Sequence, residues 1–149
     1  MKGYLLDTNI VSVLAPGRPP IAPVVVTWLK AQSDVLFLSV VSAAKIEAGI
    51  AKLRRTGASE RADRLTSWLD RLLVGYADQL LPFDIAAARA AGALEDAAQA
   101  SGHSPGFADV AIAATAHVRD LVVLTRNKRH FMPLRTECLD PLTDALPRR

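Results

Sequence analysis

Cysteine is almost missing from this chain. The one thiol, Cys138, excludes a disulfide within the chain and any cysteine-based metal centre. Aromatic residues make up only 5% of the 149 positions, so a core has to be built from aliphatic side chains. No apolar run reaches the ~18 residues that a membrane-crossing helix needs. The apolar stretch within residues 1–7 is too short for a secretory leader. A soluble, cytoplasmic protein is therefore expected. His103, His117 and His130 are scattered and form no ligand pair. There is no internal repeat, no Gly-rich phosphate loop, no nucleophile elbow and no dinucleotide fingerprint, which sets aside several large enzyme classes.

What is present is a globular composition. Hydrophobic residues account for 50% and charged residues for 22%, in a length that suits one domain with a sizeable core. The net charge of +3 permits a nucleic-acid partner without requiring one. Residues 1–140 are expected to form that domain, and residues 141–149 a mobile tail.

Short apolar runs alternate with helical patterns. Residues 4–6, 35–38, 79–82 and 121–124 read as strands, with 137–139 as a last edge strand. Helical patterns cover 10–14, 23–32, 43–53, 60–74, 85–101 and 107–117, and Asp84 reads as a structural N-cap. This alternation predicts an α/β fold, a three-layer α/β/α sandwich on a mostly parallel sheet. The 43–74 hairpin carries an apolar stripe (Leu65, Trp68, Leu69, Leu72) and a fringe of arginines, a pattern expected of a partner surface.

Three acids stand out by position. Asp7 ends the first strand and is followed by Thr8 and Asn9. Asp109 opens a helix whose Ile112, Ala113 and Ala116 share its face at i+3, i+4 and i+7, so its carboxylate sits on or beside a buried surface. Glu47 lies in the helix after the second strand, between Ala43 and Ala51. Each also has a plain structural reading: a cap for Asp7 and Asp109, a solvated face for Glu47. Strand ends and helix starts lie on one side of a parallel α/β sheet, which allows all three to converge there with Thr125 and Asn127. Converging carboxylates repel unless a cation lies among them. With oxygen donors and no thiolate, that cation would be Mg²⁺ or Mn²⁺.

The ordered motifs 5–9 (Leu-Leu-Asp-Thr-Asn), 38–42 with Glu47-Ala-Gly-Ile50, 81–84, 109–116 and 124–127 with Phe131 resemble those of the PIN-domain ribonucleases, in particular the VapC-like toxins of toxin–antitoxin pairs. The resemblance covers residues 4 to about 131. It implies a Mg²⁺- or Mn²⁺-dependent endoribonuclease acting on single-stranded or loop RNA. Asp7 and Asp109 would be direct metal ligands, and Glu47 would bind through water or orient the attacking water. Asn127 and Thr125 would hold a water or a phosphate oxygen, with Thr8 and Asn9 in support. Asn127 stands where many members carry a fourth acid, which leaves one charge fewer for a second metal. Arg126, Lys128 and Arg129 become candidate RNA contacts. A homodimer and a cognate antitoxin that blocks the cleft are also implied, with no membrane association.

Two other readings compete. A phosphatase with Asp7 as nucleophile would want a second acid close behind it, where Thr8 and Asn9 stand, and a phosphate-binding Lys at a strand end. A non-catalytic RNA- or protein-binding α/β module would make the acids purely structural.

Overall fold

The computed structural model describes residues 2–148. Five short strands form one sheet: β1 (Tyr4–Leu6), β2 (Leu36–Ser39), β3 (Leu80–Leu81), β4 (Val122–Leu124) and β5 (Cys138–Leu139). Their order is β3-β2-β1-β4-β5 and every pairing is parallel, so the expected parallel α/β architecture is present and β5 is an edge strand as expected. Parallel neighbours require crossovers, and the helices supply them: α1 (Thr8–Val13), α2 (Pro23–Ala31), α3 (Val40–Arg55), α4 (Ser59–Gly75), α5 (Ile85–Ala100), α6 (Phe107–Arg119) and α7 (Lys128–Phe131).

The strand period of two divides the core. Tyr4, Leu6, Leu36, Leu38, Val122 and Leu124 point to one face, where Ile10, Val11, Val25, Trp28 and Leu29 of α1 and α2 cover them. Leu5 and Val123 point to the other, against the Ala-rich faces of α5 and α6 with Phe131 and Leu134. Seven consecutive α6 residues, Val110–Ala116, are buried, because alanines let this helix lie close to both the sheet and α5. Full burial of each large aliphatic side chain contributes ~1.5–3 kcal/mol, which offsets the scarcity of aromatics.

Three expectations need correction. Helix α3 begins at Val40, three residues earlier than its apolar pattern suggests, because Ser39 caps it by accepting from the Val41 N–H at 3.0 Å. Leu69, in the presumed partner surface, is 2% exposed and forms a small core with Ile50 and Ala62, against which Trp68 packs. Leu69 is thus spent on the hairpin's own packing, while Leu65 and Trp68 of the stripe line an open cleft. The tail is not loose either. Leu142 and Leu146 pack on the α1/α2 side of the core, and the Trp28 indole N–H donates to the Pro147 carbonyl at 2.9 Å. Among the described residues no helix is long and apolar enough to cross a membrane.

Candidate active site

The chain moves outward from β1 through β2 to β3 on one side, then returns to lay β4 and β5 on the other. The crevice beyond the carboxyl ends of β1 and β4 is therefore the switch point at which α/β sheets bind ligands. Asp7 sits at its centre. Its backbone N–H donates to the Leu124 carbonyl at 2.8 Å, which continues the β1–β4 ladder by one step. Its side chain is bonded at both oxygens: Oδ1 accepts from the Thr8 N–H at 2.8 Å and Oδ2 from the Thr125 hydroxyl at 2.8 Å.

Thr125 is wholly buried and its hydroxyl is fully engaged. Besides donating to Asp7 it accepts from the Asn127 N–H at 3.0 Å and from the Asn9 amide at 3.4 Å. The Asn9 carbonyl oxygen accepts in turn from the Arg126 N–H at 3.2 Å. Thr125 thus orients Asp7; with no hydrogen-bonding capacity to spare, it does not hold water or phosphate as the sequence suggested. Thr8 turns its own hydroxyl away from Asp7, to Ser42 at the start of α3, at 3.1 Å.

Burial, with Asp7 4% exposed, raises its carboxyl above the ordinary range. The hydrogen bonds from Thr125 and Thr8 pull it back down, the negative charge of Asp109 pushes it up again, and the positive charge of Lys45 lowers it. Asp109 lies in the first turn of α6, where unsatisfied N–H groups favour an anion. It borders an open cleft of about 330 Å³ formed with His103, Ser104, Gly106 and His130. His130 Nδ1 stands 3.5 Å from Asp109 Oδ2. Asn127, half-buried, precedes α7 at the same edge.

The charge of Asp109 acts on Asp7 here, and that of Glu47 is not among those that do. Glu47 is exposed on α3, and the α3 charge acting on Asp7 is that of Lys45. Helical geometry gives the reason. Ser42 faces Thr8, and at about 100° per residue Lys45 falls about 60° from that direction and Glu47 about 140° away. Among the described residues no group of three His, Cys, Asp or Glu side chains is placed to hold an ion. Two carboxylates still suit Mg²⁺, which commonly binds through one or two carboxylates and keeps several waters. The donors therefore fit a largely hydrated ion and not a three-carboxylate cage. Cys138 offers no alternative, since burial pushes its thiol up to about 12.

Of the basic residues beside the site, Lys128 is tied to Asp144 at 2.7 Å, whereas Arg126 and Arg129 are exposed. Sequence reasoning passed over Lys45 and His130. The signal for Lys45 was the Ser42–Ile46–Gly49–Leu53 face, which carries Lys45 and excludes Glu47. Nothing local in the sequence marks His130.

The chain matches the PIN domain family over residues 4–132. VapC ribonuclease Y4jK of Sinorhizobium fredii (strain NBRC 101917 / NGR234) is 33% identical over 146 residues, covering 95% of this chain and 99% of that protein. Toxin FitB of Neisseria gonorrhoeae (strain ATCC 700825 / FA 1090) is 31% identical over 142 residues, covering 94% and 99%. The crystal structure of FitAcB from Neisseria gonorrhoeae superposes with a TM-score of 0.81 at 30% identity, covering 95% of this chain and 99% of that one.

Proposed function

From the premise that this chain belongs to the PIN domain family, we propose that it is a metal-dependent endoribonuclease, the toxin of a toxin–antitoxin pair, hydrolysing phosphodiester bonds in single-stranded or loop RNA. The observation that carries the reading is the pairing of Asp7 and Asp109 at the switch point: two carboxylates close enough to repel, one of them desolvated. Repulsion within such a pair is relieved further when a divalent cation joins it. Asp7 and Asp109 are the residues that would hold Mg²⁺ or Mn²⁺. When bound, the ion supplies Lewis-acid activation of water and neutralises charge at the scissile phosphate.

The chain's own residues prepare the site. Thr125 and the Thr8 N–H fix the Asp7 carboxylate in one orientation. The first turn of α6 presents Asp109 across from it. His130 flanks Asp109, with Nδ1 3.5 Å from its Oδ2. Asn127 faces the same edge as a neutral hydrogen-bonding group. Unpaired RNA exposes its backbone to an open crevice of this kind.

The same reading gives the chain a cognate antitoxin, as relatives named as toxins and solved as two-component complexes have, and a homodimeric, cytoplasmic state. Exposed Ile85, Phe107 and Met132 lie on elements that pack on one another or on α5, and offer apolar area to a partner. The deciding experiment is incubation of a labelled single-stranded RNA with purified protein in Mg²⁺ or Mn²⁺ and in EDTA. Fragments are expected only with the metal. Intact RNA in both, with the protein folded, would leave a binding module and sink the nuclease reading.

A further inference from the structure

A cleft of about 310 Å³ opens from Thr8, directly beside Asp7, and runs between α1, α3 and α4. Its charge is opposite to that of the carboxylate pair it adjoins. Arg18, Lys45 and Arg61 line it, and no Asp or Glu does. Gly17 adopts φ +81°, a conformation that favours glycine, and the Arg61 Nη1 lies 3.4 Å from where a Cβ at Gly17 would stand. That turn brings the loop bearing Arg18 down onto the Arg61 guanidinium. Lys45, three residues after the Ser42 that bonds Thr8, projects from α3 on the same side.

Four basic side chains elsewhere are held in ion pairs: Lys2 by Asp120 and Glu137, Arg54 by Asp63, Arg119 by Asp84 and Lys128 by Asp144. Among the described residues Arg18, Lys45 and Arg61 have no such ion pair. Three cations gathered around one cleft repel, and an anion entering it relieves them. Thr8 and Ser12 add hydroxyls to the lining, half-buried Trp68 adds an aromatic ring, and Ile46, Ile50, Leu53 and Leu65 form an apolar floor between the cations. A cationic groove with an aromatic surface is the combination that binds single-stranded nucleic acid. The cleft adjoins Asp7 through Thr8, whose backbone N–H donates to the Asp7 carboxylate.

We propose that this cleft carries the phosphates of the RNA strand on one side of the scissile bond, with Lys45 holding the phosphate nearest Asp7 and Arg18 and Arg61 the next ones out. The inference rests on the nuclease reading and adds the strand's path. It places the main electrostatic contacts on α3, α4 and the loop after α1, on the opposite flank of Asp7 from Arg126 and Arg129.

The test separates this path from the nuclease reading itself. Binding of a fluorescein-labelled single-stranded RNA is followed by anisotropy in EDTA over a range of salt, for wild type, Lys45→Gln, Arg18→Gln and Arg61→Gln. Each variant is expected to bind severalfold more weakly, with the slope of log affinity against log salt reduced by about 0.7 to 1. Arg18→Gln and Arg61→Gln should keep the wild-type rise in melting temperature on adding Mn²⁺, and Lys45→Gln, which removes a positive charge acting on Asp7, should rise at least as far, which shows that the fold and the carboxylates are intact. Lys45 and Arg18 are exposed, so their substitution spares the core. Unchanged affinity and salt slope in all three, with wild type still cleaving, would overturn the proposal and leave the cleft to an acidic protein segment. A wild-type protein that neither binds nor cleaves would overturn the nuclease reading, and the strand path with it.

Discussion

Asp7 and Asp109 carry the same charge in contrasting settings. Asp7 is 4% exposed, extends a strand ladder through its backbone, and has a donor on each carboxylate oxygen. The Asp109 side chain is 21% exposed and has His130 at 3.5 Å as its neighbour. One carboxylate is built into the sheet; the other stands at a helix start and can adjust. In the proposed metal site, order thus comes from the strand seam and adaptability from the helix facing it. A divalent ion that keeps several waters needs one fixed ligand more than it needs a rigid cage.

The largest expected effect removes either carboxylate. Asp7→Ala and Asp109→Ala should each lower RNA cleavage by about 10² or more, because several kcal/mol of charge stabilisation go with the ligand. The settings should separate in the glutamate variants. Asp7→Glu adds a methylene to a packed site and should fail as badly as alanine, whereas Asp109→Glu has room to move and should retain part of the activity. Equal losses in the two glutamate variants, from single-turnover rates, would erase the distinction. Mn²⁺ should raise the melting temperature of wild type by mass action and barely move that of Asp109→Ala. A full wild-type shift in that variant would remove Asp109 from the ligand set.

Thr125 tests what holds Asp7 in place. Thr125→Val strips the donor from Asp7 Oδ2 and leaves the Asn127 N–H and the Asn9 amide without their shared acceptor. Stability should fall by ~1–3 kcal/mol, the usual cost of stranding buried polar groups. Cleavage should fall about tenfold through misorientation. Thr125→Ser keeps the hydroxyl and should restore the rate. Failure of serine to rescue would mean that the methyl packing matters and the hydroxyl does not.

A smaller effect follows from the desolvation of Asp7, whose carboxyl is raised by burial in the folded protein. A carboxyl raised on folding favours the folded state when protonated. Its contribution is fully present below the unfolded value and is lost as pH rises through the folded one. As pH rises from the unfolded carboxyl value to neutrality, metal-free protein should therefore lose more melting temperature than Asp7→Asn does. Parallel pH profiles for the two proteins, measured in EDTA, would show that Asp7 is not the group responsible.

The strand seam was legible because its signals are local. Three apolar residues ending in Asp-Thr-Asn, and four ending in Thr-Arg-Asn, place polar groups at strand ends whatever surrounds them. Helix α6 was legible for the same reason, since its Ala and Ile spacing fixes which face is buried. The outward side of α3 was not. Its pattern is consistent with a start at residue 43, and Ser39 capping, which moves the start to Val40, depends on where β2 stops. The tail was misjudged because its anchors, the Trp28 indole and the α1/α2 core, lie more than a hundred residues away in the chain.

The smallest expected effect comes from Glu47, and it decides which side of α3 faces the chemistry. Glu47→Gln keeps size and helix propensity and removes only charge. Glu47 is exposed and lies about 140° around the helix from Ser42, so its carboxylate is directed away from Asp7. Cleavage by Glu47→Gln should stay within about twofold of wild type, since surface substitutions away from a site change energies by ~0.5 kcal/mol or less. The Mn²⁺-dependent rise in melting temperature should be unchanged. Lys45→Gln, two residues away, should differ in weakening RNA binding. If instead Glu47→Gln loses cleavage as deeply as Asp109→Ala and also loses the Mn²⁺ response, α3 must turn Glu47 into the site when metal binds. The two-carboxylate site would then be wrong, and the third acid suggested by the sequence would be restored.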